Sequence, residues 1–124
     1  MARETVTAHT VWPKKARMKP PKEKEIQSAI LSYLRLKKCV AVKVGSGAFK
    51  IGDRFIKMGA IGVSDIIACC PPHGRYLAIE VKKQGRYPTP EQRVFLESIH
   101  KAGGIGIVAR SIDDVEKALA GINL

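Results

Sequence analysis

Aromatic side chains are scarce in this chain, at 6% of its residues. Proteins that hold single strands by stacking successive bases on aromatic platforms depend on them, so that class of binder is disfavoured. Cysteine is scarce as well: Cys39, Cys69 and Cys70 make an odd count without C-x-x-C spacing. Neither a disulfide framework nor a zinc site with His9, His73 or His100 fits that spacing. Adjacent Cys69 and Cys70 would point to opposite faces of a strand, and buried free thiols are expected. No apolar run approaches the roughly 20 residues that cross a bilayer, and "MARETVTAHT" lacks the apolar centre of a signal peptide. A cytoplasmic protein with no membrane partner is expected. Acids are the other shortage, 11 against 22 Lys and Arg, which leaves a net charge of +11 and a pI near 9.9. A polyanion is the implied partner, and the few aromatics favour contact with a phosphate backbone.

The 124 residues, 45% of them hydrophobic, amount to one domain with a single modest core. Residues 1–22 carry Arg3, Lys14, Lys15, Arg17, Lys19 and Lys22 against Glu4, with prolines at 13, 20 and 21 and no apolar period. They read as a basic, flexible arm, leaving 23–124 as the folded domain. Ile26, Ala29, Ile30, Tyr33 and Leu34 have the spacing of one buried helix face, and the double proline suits that helix's first turn. "CVAVKV" (39–44) reads as a strand. "GSGAFKIGDRF", rich in glycine and lacking the order of a phosphate-binding loop, reads as a flexible loop. "IGVSDIIACC" (61–70), the turn "PPHG" and "YLAIEVKK" (76–83) predict a hairpin. Thr89, Pro90 and Gln92 announce a helix with a capping box, its inner face Gln92, Phe95, Leu96, Ile99 and Ala102, its end at Gly103. "IGIVA" (105–109) is a short strand, and Ser111 with Asp113 and Asp114 opens a last helix through Val115, Ala118 and Leu119. The fold class is α/β, a mixed sheet flanked by helices.

One residue is out of place in this pattern. Glu80 interrupts the apolar stretch of "YLAIEVKK". If "PPHG" is a four-residue connection, Cys70 pairs with Arg75, Cys69 with Tyr76, and Asp65 falls opposite Glu80 on one face. Cβ atoms of directly opposed residues lie roughly 5 Å apart, where two negative charges repel by about 3 kcal/mol at an effective dielectric of 20. A divalent cation, Mg²⁺ or Mn²⁺, removes that repulsion, since Mg²⁺ is held by one or two carboxylates with water and phosphate completing its shell. Alternation puts Lys82 beside Glu80 and turns Ile79 and Val81 to the core. Two acids and a lysine so placed supply metal-ion and electrostatic catalysis of phosphodiester hydrolysis. Lys14, Lys15, Arg17, Lys83 and Arg86 are the expected contacts to DNA phosphates.

"GVSD" (62–65), "EVK" (80–82), "TPEQ" (89–92) and the helix "EIQSAILSYL" (25–34) resemble the VRR-NUC group of the PD-(D/E)XK nuclease superfamily. The resemblance covers residues 23 to 120. It implies a restriction-endonuclease-like αβββαβ core and a metal-dependent endodeoxyribonuclease. Asp65 and Glu80 would be the metal-binding acids, the Val81 carbonyl a further ligand and Lys82 the catalytic lysine. Glu25 would be the first helix's acid, direct or water-mediated on the metal, and Gln92 a glutamine near lysine and substrate. Ser64 stands where the superfamily usually has proline. Minimal members resemble homodimeric Holliday-junction resolvases, whereas a multidomain eukaryotic member resembles a monomeric flap nuclease. A non-catalytic DNA-binding module that keeps the fold is the alternative from another class.

Overall fold

Helix α1 spans Glu23–Leu36, and Ile26, Ile30 and Leu34, four residues apart, are buried along one stripe. The structure, a computed structural model, describes residues 19–45, 47–58 and 62–121, and for 47–51 and 55–58 the backbone alone. Pro20 and Pro21 lie before the helix rather than in its first turn, because the chain is still extended at the N-cap, Lys22 (φ −77°, ψ 158°). The buried stripe also differs from the expected one: Gln27 is buried and Ala29 exposed. At about 100° per residue, Gln27 falls about 20° past Leu34 at one edge of the stripe, while Ala29 falls about 60° outside Ile26 at the other. The helix closes in a Schellman motif, with the Lys38 N–H donating to the Arg35 carbonyl and the Cys39 N–H to that of Leu34. Lys38 therefore takes a left-handed φ of 67°.

Strand β1, Val40–Lys43, follows, and then comes the clearest departure from the sequence reading. The glycine-rich segment is not a loop. Its backbone forms β2, Gly47–Ile51, and β3, Arg54–Met58, paired antiparallel so that Ile51 faces Arg54 across Gly52 and Asp53. A two-residue hairpin turn with glycine first and φ positive, here 60° at Gly52, matches the twist of its flanking strands.

Strands β4, Ile66–Cys70, and β5, Arg75–Val81, form the predicted hairpin. β4 starts at Ile66, because residues 62–65 bend; Ile61 lies outside the described residues. Helix α2, Pro90–Lys101, crosses to β6, Ile105–Ala109, and α3, Ile112–Ala120, ends the described chain behind its N-cap Ser111. The sheet order is β1-β4-β5-β6, antiparallel except for the parallel β5–β6 pair that the α2 crossover requires. The αβββαβ core is thus α1, β1, β4, β5, α2 and β6, with the β2–β3 hairpin inserted after its first strand.

The two faces of the sheet differ. Leu77, Ile79 and Val81 pack with Ile26, Ile30 and Leu34 of α1 and Val115 of α3 into one core. The opposite face takes α2, whose backbone lies on β6 at Gly106, where a Cβ would stand 2.5 Å from the Leu96 carbonyl oxygen. Ala78 and Glu80 share that face by strand alternation. Only Leu96 of α2 is buried, and Ala102, expected on the inner face, is exposed. α2 covers β5 and β6; over β1 and β4 the same face leaves Val40, Val42 and Cys69 exposed. Cys39 and Cys70 are buried as expected, and Cys69 is not. Burial, then the neighbouring Cys39 thiol, pushes the Cys70 thiol up to about 12.

Candidate active site

The β4–β5 register pairs Cys70 with Arg75 and runs to Ile66 opposite Ile79. One step further, Asp65 stands opposite Glu80, as the hairpin arithmetic predicts. The Asp65 carboxylate accepts the Val81 N–H through Oδ2 at 2.8 Å, and its carbonyl accepts the Val44 N–H at 2.7 Å. Its position is therefore fixed by Val44, just past β1, through the main chain and by β5 through the side chain. Ser64, buried, donates its hydroxyl to the Ile66 carbonyl at 3.3 Å. Gly62 has φ 86°, and a Cβ there would meet the Glu91 carbonyl oxygen at 2.6 Å. The "GVSD" turn is packed against the first turn of α2 by that glycine.

Glu80 is only 2% exposed, and its Oε1 has no hydrogen-bond partner. Its Oε2 lies 3.7 Å from the Lys82 ammonium. Burial, then the Asp65 charge and a hydrogen bond shared with Asp65, pushes the Glu80 carboxyl up to about 8, with Glu23 adding to the rise and Lys82 opposing it. An acid so placed is a costly anion unless a cation joins it. Lys82 lies just past β5, with its N–H donating to the Ala109 carbonyl at 3.0 Å, which holds it alongside β6. In extended backbone the N–H and C=O of one residue point to the same side. Since the Val81 N–H meets Asp65, the Val81 carbonyl points toward that acid too.

Two acids open the first helix, and they are placed differently. Glu25 is exposed and its Oε1 accepts the Lys22 N–H at 2.8 Å, closing a capping interaction. Glu23 is half-buried and its charge reaches Glu80. Residues two apart on a helix are separated by about 200°, so one alone can face the site. Gln27, one turn after Glu23 on the same side, is buried with Oε1 unpartnered; the sequence reading missed it, although a polar residue in line with Ile30 and Leu34 was the signal. Gln92 is half-buried at the start of α2, where its Oε1 accepts the Thr89 N–H at 2.8 Å, leaving its amide NH₂ as the available donor. Lys83 and Arg86 are exposed in the segment that follows Lys82. Lys14, Lys15 and Arg17 lie outside the described residues. Among the described residues no group of three or more His, Cys, Asp or Glu side chains is gathered as a metal cage. Among the described residues no helix is long and apolar enough to cross a membrane.

A four-stranded mixed sheet with α1 and α3 on one side and α2 on the other, carrying acid, acid and lysine at one end of β5, defines an α/β domain of nuclease-like architecture. The solved structures sharpen this to the fold of VRR-NUC domains. One, a "VRR_NUC domain", superposes with a TM-score of 0.59 at 20% identity over 82% of this chain and 97% of its own. Another, a "VRR_NUC domain protein", superposes with a TM-score of 0.52 at 24% identity over 82% of this chain and 88% of its own. No family model and no curated protein matches the sequence.

Proposed function

We propose that this protein is a metal-dependent, structure-specific endonuclease that hydrolyses phosphodiester bonds in DNA inside the cell. The observation that carries the reading is the buried, unpartnered Glu80 Oε1 set opposite Asp65 with Lys82 at 3.7 Å from the same carboxylate. Two hard oxygen acids repelling each other, with a backbone carbonyl beside them, fit a divalent cation of the Mg²⁺ or Mn²⁺ kind. Asp65, Glu80 and the Val81 carbonyl would hold it, with Glu23 replacing Glu25 as the acid acting from α1. Such an ion supplies a polarised phosphate and an activated water at neutral pH. The chain's own groups do the rest. Lys82 brings its side-chain nitrogen to 3.7 Å from Glu80, where it orients the attacking water and offsets charge building on the phosphoryl oxygens. Gln92 offers an amide donor from the α2 terminus. Lys83 and Arg86 grip flanking phosphates, and Lys14, Lys15 and Arg17 extend that grip.

The homodimeric four-way-junction resolvase is the favoured form of this activity, because one domain carries one site and a junction needs two symmetric cuts; two-fold dimers are also the commonest oligomers. The test is cleavage by purified protein of end-labelled duplex, flap, splayed and four-way-junction DNA with Mg²⁺ or Mn²⁺, alongside a light-scattering mass. Paired symmetric cuts by a dimer support the resolvase. Single cuts at flaps by a monomer convert the reading to a flap nuclease. Binding without any cleavage leaves a DNA-binding module on a nuclease fold.

A further inference from the structure

Tyr87 is 73% exposed, the most open aromatic ring among the described side chains. It is nonetheless firmly placed. The Lys83–Arg86 turn before it is closed by the Arg86 N–H donating to the Lys83 carbonyl at 3.1 Å, with Gly85 at φ 84° supplying the conformation such a turn needs. Pro88 follows it and restrains its backbone. Arg110 then braces both sides of the junction. Its Nη2 donates to the Arg86 carbonyl at 2.7 Å, and its guanidinium lies 5.3 Å from the Tyr87 ring centroid, within cation–π range. The Arg110 main chain is itself anchored, its N–H donating to Asp114 at 2.8 Å.

β5 and β6 are parallel, so Lys82 and Arg110, which follow them directly, leave the sheet at the same end as Glu80. A flat apolar ring held open to water at that end, with Lys83 and Arg86 beside it, has no role in the core. We infer that the Tyr87 ring, backed by Arg110, is a stacking platform for one unpaired nucleobase next to the scissile phosphate. The inference rests on the nuclease reading and narrows its substrate. Bases in intact duplex already cover each other's π-faces, so an exposed ring can stack on one only at a break, branch or frayed end. The overall shortage of aromatics, which disfavours binding of long single strands, agrees with a platform for a single base.

The test uses the full-length protein in EDTA with splayed and junction DNAs that carry 2-aminopurine at successive positions around the branch. The wild type is expected to quench the probe at one unpaired position. Tyr87→Ala should lose that quenching and about 10-fold in affinity for branched DNA, while its affinity for intact duplex stays unchanged. Tyr87→Trp should restore both. Equal quenching by wild type and Tyr87→Ala overturns the platform, as does an equal loss of affinity for duplex and branched DNA. Cleavage of the same DNAs with Mg²⁺ or Mn²⁺ reports separately on the nuclease reading. Cleavage without Tyr87-dependent quenching removes the platform and keeps the nuclease. Quenching that depends on Tyr87 without cleavage keeps the base-stacking site and removes the nuclease.

Discussion

Consecutive residues of β5 lead opposite lives. Ile79 and Val81 face α1 and α3 in a fully apolar core, while Glu80 between them faces the α2 side, buried yet without a partner for Oε1. The face that α1 and α3 cover is where apolar burial stabilises the fold. The other is covered over β5 and β6 only, and at its edge the chain keeps two opposed acids that cost stability. Strand alternation separates the two tasks within a few ångströms, so substitutions at neighbouring positions should act in opposite directions.

The largest expected effect is chemical. Lys82→Ala should lower single-turnover cleavage roughly 10³-fold, while DNA affinity changes little and the slope of log K against log salt falls by about 0.9. Undiminished cleavage would separate Lys82 from the reaction. On the covered face, Ile79→Ala should destabilise the protein by about 3 kcal/mol in urea unfolding, the usual result of a cavity at a fully buried site. A loss below about 1 kcal/mol would break the division of labour between the faces. Glu80→Gln, one residue away, should instead raise the metal-free melting temperature at pH 8 and above, by removing a buried anion from beside Asp65, and should stop cleavage.

That substitution also predicts a pH dependence. The Glu80 carboxyl sits at about 8 in the fold against an ordinary value of 4.5, so the folded protein holds a proton the unfolded chain has released. The contribution of this group to wild-type stability without metal is full below pH 4.5, falls as pH rises toward 8 and then levels off. The slope over that window should disappear in Glu80→Gln, as read from melting curves in EDTA. The smallest effect concerns two helix ends. α1 and α2 both close with Schellman motifs, but Gly103 (φ 97°) takes the left-handed position after α2 and Lys38 (φ 67°) takes it after α1. Lys38→Gly should stabilise by up to about 1 kcal/mol.

The two hairpins show why part of this molecule is legible in its sequence and part is not. In the β4–β5 hairpin, alternation and a short turn set the register, and that register alone puts Asp65 opposite Glu80. In the β2–β3 hairpin the same kind of signal, Gly52-Asp53 between β-forming runs, is hidden by the density of nearby glycine. The first helix shows where motif and helical angle part. Motif position favours Glu25, whereas helical angle alone sets Glu23, not Glu25, in line with Ile30 and Leu34. A capping hydrogen bond from the Lys22 N–H also engages Oε1 of Glu25.

By itself the sequence determined what periodicity and local chemistry carry: the order of helices and central strands, the capping of α2, the opposed acids and the lysine beside them, and the basic charge that calls for a polyanion. Tertiary structure decided what depends on partners distant along the chain. Packing α2 over half a face left Cys69 in solvent, and burial against Asp65 and Glu23 raised the Glu80 carboxyl. Arg110 reached back across 24 residues to Arg86 and the Tyr87 ring. Burial and charge–charge energy depend on distances through space, and a linear pattern fixes those only within one element or one tight turn.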